Sequence, residues 1–262
     1  MAAVGERQIS YDARGLAEPN AEVPKVSEVD GAKAVFDASD LTTRQINLEL
    51  RSLLYEQGVT DVTVKNPGSK HSIGVGILTR CKITFEGSLG YFGCGLIDGP
   101  EIHITGRVGW SACENMMSGV VVIEGNAGSL TGAALRGGDL VVKGRVGARS
   151  GIDQKGGTII TLGSAGSMNG FMMQRGRQII CEDAGPGLGD SMYDGILYVG
   201  GKVKSLGIDC VEGEWTEADT EFIERKFRIY DLGSPPEFQK FVCGKKLYNY
   251  DNLEPSERKL VL

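Results

Sequence analysis

The feature that most constrains this chain is a glycine pair that returns every 19 residues. The first glycine falls at Gly87, Gly106, Gly125, Gly144 and Gly163, and the second, three residues on, at Gly90, Gly109, Gly128, Gly147 and Gly166. Glu182 replaces the next first glycine, with Gly185 following, and Gly201 returns one period later. Four residues beyond the second glycine come Cys94, Cys113, Gly132, Gly151, Gly170 and Gly189. Seen alone, a copy such as GSAGSMNG (163–170) has the look of a phosphate-cradling loop. That loop is needed once, between a strand and a helix. A loop present in every copy is the corner of a repeating coil.

The segments between the corners are strands by composition. They read KITFEG, IHITG, VVVIEG, LVVKG, IITLG, QIICE and LYVGG, β-branched runs closed by turn residues. Aligned on the period, one column is Ile83, Ile102, Val121, Leu140, Ile159, Gln178 and Leu197. Two residues on lies Phe85, Ile104, Ile123, Val142, Thr161, Ile180 and Val199. Period 2 within a strand puts both columns on one face. A further column holds Ile97, Met116, Leu135, Gln154, Met173 and Met192, and a small apolar one runs from Leu89 and Val108 to Val203. A period of 19 is too short for a helix pair but suits one coil of two or three short strands. The expected fold is all-β: a right-handed parallel β-helix of seven to eight rungs, with DVTVKN (61–66) as an upstream coil. Glycine suits its corners because they demand positive φ or close backbone approach.

Glycine makes up 39 of 262 residues, about twice the usual ~7%. With only 8 prolines and no G-X-Y period, the chain is neither collagen-like nor a disordered Pro/Gly segment. A net charge of −6 argues against nucleic acid as a partner, which calls for a basic surface. No apolar run approaches the ~20 residues of a membrane span, and MAAVGERQIS carries no apolar signal core. Cytoplasmic localisation with reduced thiols is the expectation. The six cysteines form no C-x2-C, and the only histidines are His71 and His103, so no metal site is expected on this chain.

The organisation reads as an irregular N-terminal arm (1–39), a capping helix (40–58), the β-helix (59–212), and a C-terminal helix with an extended arm (213–262). The first helix carries the stripe Ile46, Leu50, Leu53 and Leu54, with Asp40 as its N-cap and Gly58 as its stop. A second, at 216–226, is expected to cover the far end, because an open β-helix leaves two strand edges to protect. The tail from Phe227, with Tyr248 and Tyr250, reads as an arm for a partner.

Candidate chemistry is sparse. Cys94 and Cys113 occupy equivalent corners of adjacent rungs, where they could pair or simply fill small spaces. His103 sits in the outward strand column and His71 in the loop NPGSKHSIGVG. Asp98, Asp139 and Asp194 flank turn glycines, where Asp favours local backbone bonds. No nucleophile has a matching base, so no catalytic residue and no cofactor-binding residue are assigned. The exposed column Tyr91, Trp110, Ser129, Ala148 has its aromatics at one end, which makes Tyr91 and Trp110, with Tyr248 and Tyr250, the candidate partner contacts.

The repeat, with ACENMMSGVVVIEGNAG (112–128), LGDSMYDGILYVGG (188–201) and SLGIDCVE (205–212), resembles the C-terminal GXGXG domain of the glutamate synthase large subunit. The similarity spans roughly residues 40–226 and is nearest to the stand-alone version found in three-part enzymes of the N-methylglutamate synthase type. It implies a non-catalytic structural subunit within a hetero-oligomer. FMN and an iron–sulfur cluster would then sit on an FMN-dependent glutamate-synthase-like partner, and ammonia would come from a class II glutamine-amidotransferase-like partner. No catalytic residue of the family maps onto this chain. A similar repeat also occurs in one of the subunits of formylmethanofuran dehydrogenase, and of the related formyltransferase/hydrolase complex, and membership of such a complex stands as the alternative.

Overall fold

The computed structural model describes residues 28–30 and 32–244; Tyr248 and Tyr250 lie outside them. Nine strands run parallel in sequence order along one sheet. They are β2 (Lys33–Asp37), β3 (Asp61–Lys65), β4 (Lys82–Glu86), β5 (Asp98–Ile104), β6 (Ser118–Ile123), β7 (Asp139–Val142), β8 (Lys155–Thr161), β9 (Arg175–Ile180) and β10 (Ile196–Val199). The sheet is the broad wall of a right-handed parallel β-helix. Its register matches the sequence columns: Ile83 faces Ile102, then Val121, Leu140, Ile159, Gln178 and Leu197. The ladder continues upstream, pairing Val62 with Ile83 and Ala34 with Val62.

A second, narrow wall is a ladder of single bridges, Leu89–Val108–Ala127–Val146–Ala165–Ala184–Val203. The third wall has an unusual backbone. Phe92, Cys94 and Leu96 all have φ 57°, and Ser111, Cys113 and Asn115 repeat this at 56°, 56° and 55°. Every second residue is therefore left-handed, which turns the chain through the last corner and costs L-residues steric strain. The third repeat position lies here, and Gly132 (φ 65°) takes the conformation freely where Cys94 does not.

The first and second glycines answer a different demand. A Cβ on Gly147 would lie 2.5 Å from Ser129 N, and one on Gly125 2.8 Å from Gly106 O. Coils stack so closely there that no side chain fits between them. Apart from Gly87, at φ 141°, positive φ is not the reason at these two positions.

Inside, the aligned columns form one continuous core. Two of its polar exceptions pair with each other. Gln178 Nε2 donates to Gln154 Oε1 at 3.1 Å, and Gln154 Nε2 donates to Gly156 O at 2.9 Å.

The ends and flanks differ from the expectation in four ways. First, the segment expected to be an irregular arm contains β1 (Glu28–Asp30), antiparallel to β2, so the first rung starts earlier than read. Second, helix α1 (Thr43–Arg51), extended by a π-turn over Ser52–Glu56, is capped by Thr42 rather than Asp40. Thr42 forms a capping box with Gln45, a reciprocal pair that Asp40 stands too far upstream to make. The stripe Ile46, Leu50, Leu53 and Leu54 is buried as read. Asn47 bonds Ser72 O and Gly74 N, so α1 closes the first row of the third wall.

Third, helix α2 (Glu217–Ile229) does not cover the far end. It lies on the outer face of the sheet, where Phe222, Ile223 and Phe227 bury the outward column Val141, Ile160, Ile179 and Tyr198. That column is apolar and needed a cover. Fourth, the tail read as an arm supplies β12 (Gln239–Cys243), antiparallel to β10 and to β11 (Cys210–Glu212). Both ends of the β-helix are thus closed by an antiparallel strand.

Candidate functional site

The most specialised surface is a stack of rings on three successive coils. His71 and Tyr91 stack at 4.5 Å between centroids and 17° between planes; Tyr91 and Trp110 follow at 5.4 Å and 16°. The second glycine of each next coil makes the seat. A Cβ on Gly90 would fall 2.2 Å from His71 Nδ1, one on Gly109 2.6 Å from Tyr91 Cδ1, and one on Gly128 2.6 Å from Trp110 Cδ1. Each ring therefore lies flat on bare backbone. His71 Nδ1 accepts the Tyr91 N–H at 2.9 Å, which leaves the proton of the neutral ring on Nε2. Tyr91 and Trp110 remain 50% and 55% exposed, far above what stacked aromatics retain in a core. At Ser129 the column turns small and the stack stops. The candidate contacts Tyr91 and Trp110 are thus brought together. His71 was missed as their partner because the coil holding it is not in the 19-residue register.

His103 does not join that surface. It heads a ladder on the sheet face, with Nε2 2.8 Å from Glu124 Oε1, which also accepts from Lys143 Nζ at 3.0 Å. Burial opposes ionisation of Glu124, but the bonds from His103 and Lys143 outweigh it and hold the carboxyl below its usual range.

Under α2 sit two carboxylate clasps. Asp219 accepts from Tyr198 Oη at 2.6 Å and Lys240 Nζ at 2.8 Å; Asp139 accepts from Lys226 Nζ at 2.6 Å and from Tyr230 Oη. Asp139 thus binds across to α2, not to its local turn as read, whereas Asp194 does bond the adjacent Gly195 N at 2.7 Å. Burial would raise the Asp219 carboxyl, yet the bonds from Lys240, Tyr198 and Thr216 hold it well below the usual carboxylate range. Burial and the Asp219 carboxylate together push the Tyr198 phenol up.

The thiols at the corners are quiet. Cys94 and Cys113 are free and fully buried, and burial pushes Cys94 up to about 12 and Cys113 well above its ordinary value. Such thiols are poor nucleophiles. Among the described residues, no group of three or more His, Cys, Asp or Glu side chains gathers as a metal site would need, and no helix is long and apolar enough to cross a membrane.

Fold and surface together define a capped, right-handed parallel β-helix whose His103, Glu124, Asp139 and Asp219 side chains bond to its own frame and whose conspicuous exposed feature is an aromatic stack. No family model matches the chain. It is similar to Protein GlxC of Rhizobium meliloti (strain 1021), at 39% identity over 66 residues. That stretch is 24% of this chain and 29% of the Rhizobium protein, so the similarity is local.

Proposed function

We propose that the chain is a structural assembly subunit of a glutamate-synthase-like enzyme, of the kind that makes N-methylglutamate from glutamate and methylamine. In this reading it joins an amidotransferase-like subunit to an FMN- and iron–sulfur-bearing synthase subunit and holds neither cofactor itself. The observation that carries the reading is the half-exposed His71–Tyr91–Trp110 stack, an aromatic surface of the kind protein partners bury. The resemblance of the repeat to the GXGXG domain names the enzyme class, and the local similarity to Protein GlxC shows that related sequence occurs in another protein. The clasped ionisable groups agree with a role in holding rather than turning over.

The test is purification of the native complex with a tag on this chain. Co-purification of a flavin-bearing subunit and an amidotransferase-like subunit supports the proposal. Turnover by the chain alone, or a complex built on a metallohydrolase and a formyltransferase, overturns it.

A further inference from the structure

The last two strands bring together two thiols that the repeat does not explain. β11 and β12 pair with Cys210 opposite Cys243. The bonds on either side run from Gly244 N to Asp209 O and from Gly213 N to Lys240 O, each 2.8 Å. This pattern makes 210/243 a non-hydrogen-bonded antiparallel pair, in which facing Cα atoms lie about 4.5 Å apart and side chains are closest. That separation falls inside the window of roughly 4.4–6.8 Å that a disulfide requires. Both sulfurs are turned toward the last coil. Cys243 Sγ donates to Met192 O at 3.1 Å, and Cys210 Sγ lies 2.7 Å from where a Cβ on Gly189 would stand. Cys243 is half-buried and gives solvent a way in, whereas Cys94 and Cys113 are sealed within the coil.

We propose that Cys210 and Cys243 form a reversible cross-strand disulfide that locks the C-terminal cap, by exchange with a small-molecule disulfide such as oxidised glutathione. Cys243 gives up its proton, and its thiolate attacks one sulfur of the small disulfide. That S–S bond breaks, and the departing thiolate takes up a proton. Cys210 then gives up its proton and attacks Cys243 Sγ, expelling the second small thiol, which is protonated in turn. Two protein thiols are oxidised by two electrons and one disulfide is reduced to two thiols. The new bond closes a loop that contains α2 and ties β12, the strand covering the β10 edge, to β11. Cross-linking a loop of this length restricts the unfolded chain more than the folded one.

The full-length protein is incubated natively with oxidised glutathione, alkylated, and digested with trypsin without reduction. Cleavage after Lys204, Arg225, Lys240 and Lys245 separates the two cysteines into peptides 205–225 and 241–245. The expected product is those peptides joined, lighter than their sum by two hydrogens. The unfolding midpoint should rise by several degrees and return on adding dithiothreitol. Cys243→Ser should abolish both effects, and Cys181→Ser should retain them. The proposal is overturned if wild-type protein with an intact circular dichroism spectrum yields no joined peptide. It is equally overturned if the link forms only in denaturant or joins other cysteines.

Discussion

At the corners that carry the glycine pair, a glycine hydrogen occupies the place where a methyl group would strike the coil beneath. Gly147→Val puts its Cβ within 2.5 Å of Ser129 N, backbone that cannot move without unstacking two coils. The expected cost is roughly 3–5 kcal/mol by chemical denaturation, at the severe end for point substitutions; a variant of normal stability would refute the close-packed corner. The buried glutamines offer a test of opposite sense. Gln178→Leu strands the buried Gln154 Oε1, which accepts from Gln178 Nε2 at 3.1 Å, and should cost about 1–3 kcal/mol. Adding Gln154→Leu removes the stranded oxygen but leaves Gly156 O without its donor, so the double variant should recover only part of that loss. A double-mutant cycle showing simple additivity would exclude the pairing.

At the scale of elements, α2 is held by apolar contact and by the Asp219 and Asp139 clasps. Asp219 has its folded pKa lowered, so its stabilising contribution is complete above the unfolded carboxylate value of about 4. It is lost as pH falls below that value toward the depressed folded one. Acid titration should therefore weaken wild type more steeply below about pH 4 than it weakens Asp219→Asn, read as the change in denaturation midpoint with pH. Parallel slopes would show that the clasp contributes nothing. At neutral pH, Asp219→Ala leaves the Lys240 ammonium, whose side chain is only 10% exposed, without its carboxylate and should cost roughly 3 kcal/mol.

For the whole molecule, the two flanks decide which surfaces are available. Removing residues 227–262 would strip β12 from the β10 edge and cut α2 short, so it would damage the frame before it tested any interface. Trp110→Ala and Tyr91→Ala are the cleaner probes, because both rings lie on glycine seats outside the core. Together they should weaken association with the proposed partner subunits by at least tenfold in co-expression and size-exclusion measurements. The flavin spectrum of the proposed synthase partner and this chain's unfolding midpoint should stay unchanged. Full-strength assembly by the double variant would exclude the stack as the interface.

By itself the sequence determined the coil. A 19-residue period fixes which residues stack, because like must fall on like when each coil repeats the last, so the columns ending at Leu197 and Val199 were legible before any coordinate. It also placed Tyr91 and Trp110 on one line. Periodicity cannot reach what interrupts the period. His71 sits in an irregular coil, and only the folded chain sets its ring on Gly90 beside Tyr91. The destinations of α2 and β12 were likewise beyond the repeat, because they depend on contacts far apart along the chain, such as Lys226 with Asp139 and Val242 with Ile196. The outward column from Val141 to Tyr198 is apolar, and α2 covers it. Tertiary structure alone decided that a helix covers it while a strand closes the end, because an unpaired strand edge is satisfied by another strand's N–H and C=O groups, and an apolar sheet face by an apolar helix stripe.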